Sequence, residues 1–397
     1  MIMNLALFGG KPTRENFIPY GKQCIDEADI EAVANVLRGP YLTTGPVVEQ
    51  FEKKLCEITG AKYAVAISNG TSALHAACYA AGIKEGDEVI TTPMTFAASA
   101  NCVLYCGGTP VFADINPNTW NIDPNDIENK ITSKTKAVIA VDFTGQACQF
   151  DEIKEICAKH NLILIEDAAH AIGTKYKEVA VGNIADLTTF SFHPVKTITS
   201  GEGGAILTNN EEFYKLMKLF RSHCITRDVA ELSQNPFDGF NEQIGLGYNY
   251  RMTDFQAALG MSQLNKLWVF KQRRSEIVDR YNKAFSQIPQ IIIQKEIPES
   301  DTARHLYIIR LNRSLLKANR DEIYKAINAE NIGLQVHYIP VYYHPYYKSL
   351  GYNKGLCPNA EELYDEIITI PLYYSLSDED IESVIEAIRK VIEYYSL

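Results

Sequence analysis

Lys196 follows a short apolar run and Pro194, and it precedes the glycine-rich stretch Gly201-Glu202-Gly203-Gly204. A lysine is ordinarily a solvated surface residue. Held in a partly desolvated loop, its amine has a lowered pKa and condenses with an aldehyde. Asp167 ends another apolar run, in Ile165-Glu166-Asp167-Ala168-Ala169-His170. An acid at the carboxyl end of a strand either keeps a proton on a ligand's ring nitrogen or caps a turn. Glu166 and Asp167 make poor paired catalytic carboxylates, because neighbours on a strand face opposite sides. Ser68-Asn69-Gly70-Thr71-Ser72 joins a strand to a helix. Gly70 permits a tight turn there, and the first helical amides with two hydroxyls form an anion cup that is also an ordinary helix cap. Phe96, in Pro93-Met94-Thr95-Phe96, is either a face for a flat ring or plain core. His193, beside Pro194, is either a base or a packed loop histidine.

These pieces need elements that bring them together. Apolar runs read as strands at Ala64–Ser68, Glu88–Thr92, Pro110–Ala113, Ala137–Asp142, Leu162–Glu166, Leu187–Phe192 and Ala205–Thr208. Helical patterns lie between them at Ser72–Ala81, Ala97–Tyr105 and Asp151–His160. Runs rich in Val and Ile without polar alternation suit a parallel sheet buried on both faces. The expected fold class is therefore α/β, with a mostly parallel sheet sandwiched by helices. A long helical region from Thr253 to Phe285 leads into a strand at Leu306–Leu311, a helix at Arg320–Glu330 and a strand at Leu334–Tyr338. A last helix runs from Ser377 to Tyr394, with Asp380 completing a capping signal. The division expected is a large domain over residues 1–265, carrying an N-terminal arm, and a smaller α+β domain over 266–397.

Hydrophobic residues make up 46% and charged residues 22%, as in soluble globular chains. The net charge of −11 argues against nucleic acid as a partner, since phosphate backbones are held by clustered Lys and Arg. No apolar run is long enough for a membrane span, and the start of the chain lacks a secretory signal, so a cytoplasmic protein is expected. Nine scattered cysteines without a C-x-x-C pair fit that compartment. Cys102 and Cys106 read as small apolar residues on one helix face. His337 and His344, seven apart without acidic or thiol neighbours, make no metal site. The aromatic stretch from Tyr338 through Tyr342, Tyr343, His344, Tyr346 and Tyr347 stacks a nucleotide base or packs a domain interface.

Joined to Tyr41-Leu42-Thr43-Thr44-Gly45-Pro46 and Gly247-Tyr248-Asn249-Tyr250-Arg251-Met252, these stretches resemble the DegT/DnrJ/EryC1/StrS family of sugar aminotransferases over nearly the whole length. That family lies within the fold-type I pyridoxal-phosphate enzymes. The resemblance implies pyridoxal 5′-phosphate as cofactor, joined to Lys196. It implies Asp167 on the pyridine nitrogen, His170 near the phenolic oxygen and Phe96 on the ring face. Gly70, Thr71, Ser72 and Ser191 would hold the phosphate, and Asn249 would reach the phosphate of a neighbouring subunit, giving a homodimer with shared active sites. On the substrate side, Thr43 and Thr44 would meet sugar or diphosphate, with His193 and Tyr338 nearby.

Phe190-Ser191-Phe192-His193, Lys218-Leu219-Phe220-Arg221-Ser222-His223 and Gln335-Val336-His337-Tyr338 resemble members that make a 4-amino sugar on the route to pseudaminic acid. The implied substrates are L-glutamate and a UDP-linked 2-acetamido-2,6-dideoxy-4-ketohexose. Another nucleotide-linked keto sugar is the alternative, and a non-catalytic nucleotide-sugar-binding or regulatory protein of the same fold is a further one. A dehydratase of this fold replaces the lysine with histidine, so Lys196 argues against it.

Overall fold

Seven strands form the central sheet: β1 (Tyr63–Ile67), β2 (Glu88–Thr91), β3 (Thr109–Phe112), β4 (Thr135–Val141), β5 (Ile163–Asp167), β6 (Leu187–Ser191) and β7 (Gly204–Thr208). The computed structural model describes residues 4–233, 237 and 239–397. All seven expected strands are present, within a residue or two of the limits the apolar runs suggest. Their order is β1-β7-β6-β5-β4-β2-β3. β2 through β6 pair in parallel, whereas β7 runs antiparallel to both β1 and β6. One reversed strand has a definite consequence. The carboxyl ends of β1, β2, β5 and β6 share one edge, and β7 brings its first residue, Gly204, to the same edge.

Two helices start at that edge: α1 (Gly70–Ala80) and α2 (Ala98–Tyr105). Asn69 caps α1, its Oδ1 accepting from the Ser72 amide at 2.8 Å. Helices cover both faces of the sheet, and the apolar side chains fall into one cluster around Phe51, Val138 and Phe190 and another around Val65, Ile139 and Ile206. Cys78 and Cys102 belong to the second cluster, and all nine cysteines are free thiols.

The region expected as one long helix is two, Asp254–Leu264 and Leu267–Phe285. Beyond them a three-stranded antiparallel sheet, β8 (Ile291–Ile293), β9 (Tyr307–Leu311) and β10 (Ile367–Ile370), packs with helices Arg320–Ala329 and Asp378–Tyr395. The last helix has the capping box foreseen, Ser377 and Asp380 each accepting the other's amide. The expected strand at Leu334–Tyr338 is not one. A single bridge from Gln335 to Thr369 is its only ladder contact, and the segment turns to face the central sheet's edge. Leu5 and Ile18 lie in this second core, beside Ile277, Ile327 and Ile388. The division we propose remains near residue 265, with the first twenty residues attached to the C-terminal unit rather than the large one. Among the described residues no helix is long and apolar enough to cross a membrane.

Candidate active site

A cavity of about 990 Å³ opens along the shared strand edge. Gly70, Thr71, Ser72, Phe96, Asp167, His170, Ser191, His193, Lys196 and Tyr338 all line it. All but Tyr338 come from the end of a central strand or from the turn or helix start that follows it, as expected where ligands bind beyond carboxyl ends in open α/β sheets.

Lys196 sits in the connection between β6 and β7. That connection is closed by its own backbone: the Phe192 amide donates to Gly203 O at 2.8 Å, Ser200 to Phe192 O at 3.0 Å and Lys196 to His193 O at 2.9 Å. A side chain at Gly204 would stand 2.5 Å from Asn69 O, so glycine there lets the loop lie against the turn before α1. Desolvation at the cavity wall lowers the Lys196 amine to about 8, with Asp167 acting in the opposite direction. A substantial neutral fraction near physiological pH is what a nucleophilic or proton-carrying amine requires.

Asp167 is buried, and burial raises its pKa. Opposing this are the Ser99 hydroxyl, donating to Oδ2 at 2.6 Å, the Ala169 amide, donating to Oδ1 at 3.2 Å, and Lys196. His170 shares a hydrogen bond of 3.1 Å through Nε2 with the Tyr338 hydroxyl, while its buried Nδ1 makes none. Burial and the nearby Lys196 keep that imidazole neutral. His337 is lowered to about 4 for the same reasons. The cavity wall therefore sets the Asp167 acid and the Lys196 amine among the neutral imidazoles of His170 and His337.

Glu166 points to the other side of β5, as alternation requires. It accepts from Thr188 Oγ1 at 2.7 Å and is pushed up to about 7 by burial, against the buried Asp142, itself raised well above the usual carboxylate range. Apart from each other, Glu166 Oε1 and Asp142 Oδ2 have no partner. A proton shared between the two acids would satisfy both atoms. For an acid raised in the folded state, stability is fully present below its unfolded pKa and is lost as pH climbs through the folded one. Wild-type melting temperature is expected to fall between about pH 4.5 and 7. Glu166→Gln, which supplies a permanent donor, should flatten that slope; an unchanged slope in a calorimetric pH series would refute the shared proton.

Gly70 is required by close approach. A Cβ built on it lies 2.8 Å from Ser191 Cβ, so the start of α1 and the end of β6 touch. Gly70→Ala should cost roughly 1–3 kcal/mol in thermal denaturation through this overpacking. Adding Ser191→Gly should recover most of it.

Not every residue singled out in the sequence lies on this chain's own cavity wall. The Ser72 amide is consumed by the Asn69 cap, which leaves Gly70 and Thr71 as the amide donors of the cup. Thr43 and Thr44 are exposed and do not line this chain's cavity. Asn249 is also exposed and outside it, bridged through its backbone to Ser222. Of the aromatic stretch only Tyr338 and His344 reach the cavity. Tyr342 and Tyr347 are core, donating to Glu361 Oε1 and Asn101 Oδ1 at 2.7 Å each, so packing is their role. The sequence reading missed Ser99, Thr95, Tyr20 and Glu202, which also line the wall. Only Ser99 had a findable signal: a buried acid must have donors, and one helical turn after Phe96 is within reach of Asp167.

The wall fits pyridoxal phosphate on observations of its own. An anion cup at a helix start faces an amine and an acid, the Phe96 ring stands 63% exposed over the cavity, and an orphaned imidazole nitrogen waits for a partner. Comparison with known proteins agrees. Residues 23–389 match the model of the DegT/DnrJ/EryC1/StrS aminotransferase family. The spore coat polysaccharide biosynthesis protein SpsC of Bacillus subtilis is 41% identical over 96% of this chain and 98% of its own. The UDP-4-amino-4,6-dideoxy-N-acetyl-beta-L-altrosamine transaminase of Campylobacter jejuni is 39% identical over 95% and 98%. The solved structure of Helicobacter pylori PseC, an aminotransferase involved in pseudoaminic acid biosynthesis, has a TM-score of 0.89 at 33% identity over 96% and 100%. The chain belongs to the DegT/DnrJ/EryC1/StrS family and is a pyridoxal-phosphate-dependent sugar aminotransferase.

Proposed function

We propose that the protein transfers an amino group from L-glutamate to C4 of a UDP-linked 2-acetamido-2,6-dideoxy-4-ketohexose, making a 4-amino sugar for pseudaminic-acid-type surface glycans. The observation that carries the chemistry is the Lys196 amine and the buried Asp167 carboxyl on one cavity wall. The substrate class rests on the Campylobacter relative named for such a sugar. A cytoplasmic setting fits nine scattered cysteines without a C-x-x-C pair.

Bound in this cavity, pyridoxal phosphate supplies a ring that accepts electrons when a C–H bond beside an amine ionises. The chain supplies the rest. Asp167, held by Ser99 and Ala169, keeps a proton on the ring nitrogen. The Gly70 and Thr71 amides with the Ser191 hydroxyl hold the phosphate, and Phe96 covers one face. His170 and Tyr338 bear on the ring's oxygen side. Lys196 Nζ would anchor the cofactor and, once displaced from it by the amine of glutamate, would be free to take the proton from the glutamate carbon and later to return one to the sugar carbon.

The pairing of subunits belongs to the same reading. Ile244, Leu246 and Tyr248, beside Asn249, are exposed apolar side chains, as are Tyr41 and Leu42 beside Thr43 and Thr44. A second copy covering them would bring Asn249 and the two threonines to its partner's cavity. Each single variant, Lys196→Ala and Asn249→Ala, should be poorly active, yet an equal mixture after subunit exchange should regain about a quarter of wild-type turnover. Half of its dimers are then mixed, and each mixed dimer holds one intact site of two. No regain despite proven exchange would exclude shared sites.

The cofactor assignment is tested by borohydride reduction and peptide mapping, with a phosphopyridoxyl mass expected on Lys196 and nowhere else. The substrate is tested by incubation with glutamate and a panel of UDP- and dTDP-linked 4-keto sugars, followed by product NMR. Equal turnover of dTDP-linked sugars would sink the UDP assignment.

A further inference from the structure

The acid that faces the ring nitrogen is itself controlled from behind. Ser99 Oγ donates to Asp167 Oδ2 at 2.6 Å, and Thr95 Oγ1 lies 2.7 Å from Ser99 Oγ. Ser99 has one hydroxyl proton. With that proton committed to Asp167, Thr95 must be the donor to Ser99, so the two hydroxyls point one way. Both are buried, Ser99 1% and Thr95 3% exposed, where competition from water is weak. Thr95 immediately precedes Phe96, whose ring stands over the cavity, and Ser99 lies in the first turn of α2. We propose that Thr95 and Ser99 form a directed hydroxyl relay that keeps Asp167 ionised and aimed, making Ser99 a positioning residue for the cofactor's ring.

The surroundings of Asp167 explain why such a relay is required. Burial favours the neutral acid, which would offer a ring nitrogen no negative charge. Lys196 is the charged group that acts on it; Tyr338 and the Cys148 thiol, which also feel its charge, are both held neutral by burial. The neighbouring Glu166 and Asp142 are both pushed towards the neutral acid by burial and, being acids, give no stabilisation to another anion. That leaves Ser99 as the foremost opponent of desolvation, with the Ala169 amide at a longer 3.2 Å. A hydrogen bond to a charged group contributes about 1.5–3 kcal/mol, and one pKa unit is about 1.4 kcal/mol. Loss of the Ser99 donor should therefore move the acid's ionisation up by about one to two pH units.

This inference rests on the reading that Asp167 meets the ring nitrogen, and the test separates the two. Pyridoxamine 5′-phosphate is the probe, because it binds without joining Lys196. Its Kd is measured by fluorescence titration across the acid range for wild type, Ser99→Ala, Thr95→Val and Thr95→Ser. Affinity should fall as pH drops, and in Ser99→Ala that fall should begin about one to two units higher. Thr95→Val, which keeps shape and loses the hydroxyl, should shift the same way by less, and Thr95→Ser should restore the wild-type curve. A merely structural role would weaken binding equally at every pH. Coincident curves for wild type and Ser99→Ala overturn the relay alone, whereas a wild type that binds no probe overturns the cofactor reading with it.

Discussion

Lys196→Ala is expected to lower turnover by roughly 10⁴-fold or more, because one amine serves as covalent anchor and as proton carrier. The fold should survive. The lysine's pKa is depressed in the folded chain to about 8, so below that pH its buried charge opposes folding. A group of this kind holds more protons unfolded than folded between about 8 and its ordinary 10.5, so stability rises with pH across that window. Apoprotein carrying alanine should therefore melt no lower than wild type at neutral pH, and any advantage should disappear as pH rises past 8 towards 10.5. Single-turnover kinetics with glutamate, set beside calorimetry of the cofactor-free proteins, check both halves. A variant that retains appreciable turnover would remove Lys196 from the chemistry altogether.

Asp167→Asn is the second large effect. The amide oxygen can keep the Ala169 amide as its donor, while the NH2 group then faces Ser99 Oγ, whose hydroxyl must turn to accept; the outline is kept, the charge and the Ser99 donation are lost. Turnover should fall about 10²–10³-fold, the usual consequence of deleting a preorganised electrostatic contact. Stability of the apoprotein should move the other way. Asp167 is an acid raised by burial, so its ionised form opposes folding above its unfolded pKa, and asparagine relieves that opposition. Higher melting temperature with weaker cofactor binding is the expected signature of a site that trades stability for function. Equal turnover in the variant would mean that the ring nitrogen finds its counter-charge elsewhere.

The elements legible in the sequence were those whose composition reports burial directly. β4 and β5 read as strands because Val, Ile and Ala run uninterrupted, and both are buried on each face. Lys196, Asp167 and Gly70 were visible because each breaks an apolar or helical pattern at a strand's end. The reversed direction of β7 was not, since Gly204–Thr208 has the same composition as its parallel neighbours and direction is set by how the Lys196 loop folds back. Ser99 and Thr95 were hidden for a different reason. Small hydroxyl residues inside a buried segment look like filler until the acid they serve is placed beside them. The segment from Gln335 to Tyr338 has strand-like residues, but its backbone is spent on lining the cavity rather than on a ladder.

The segment from Leu5 to Ile18 packs against the same core as the helix Asp378–Tyr395. Glu330 accepts from the amides of Ala6 and Thr13 and pairs with Lys390 at 2.8 Å, and the Phe8 ring lies 5.7 Å from that of Tyr394. During synthesis the segment carrying Leu5 and Ile18 emerges long before the helix Asp378–Tyr395, and its apolar side chains are covered only when that helix has followed. The C-terminal unit therefore depends on a segment made well before it, and removing residues 4–20 should loosen a domain three hundred positions away in the chain.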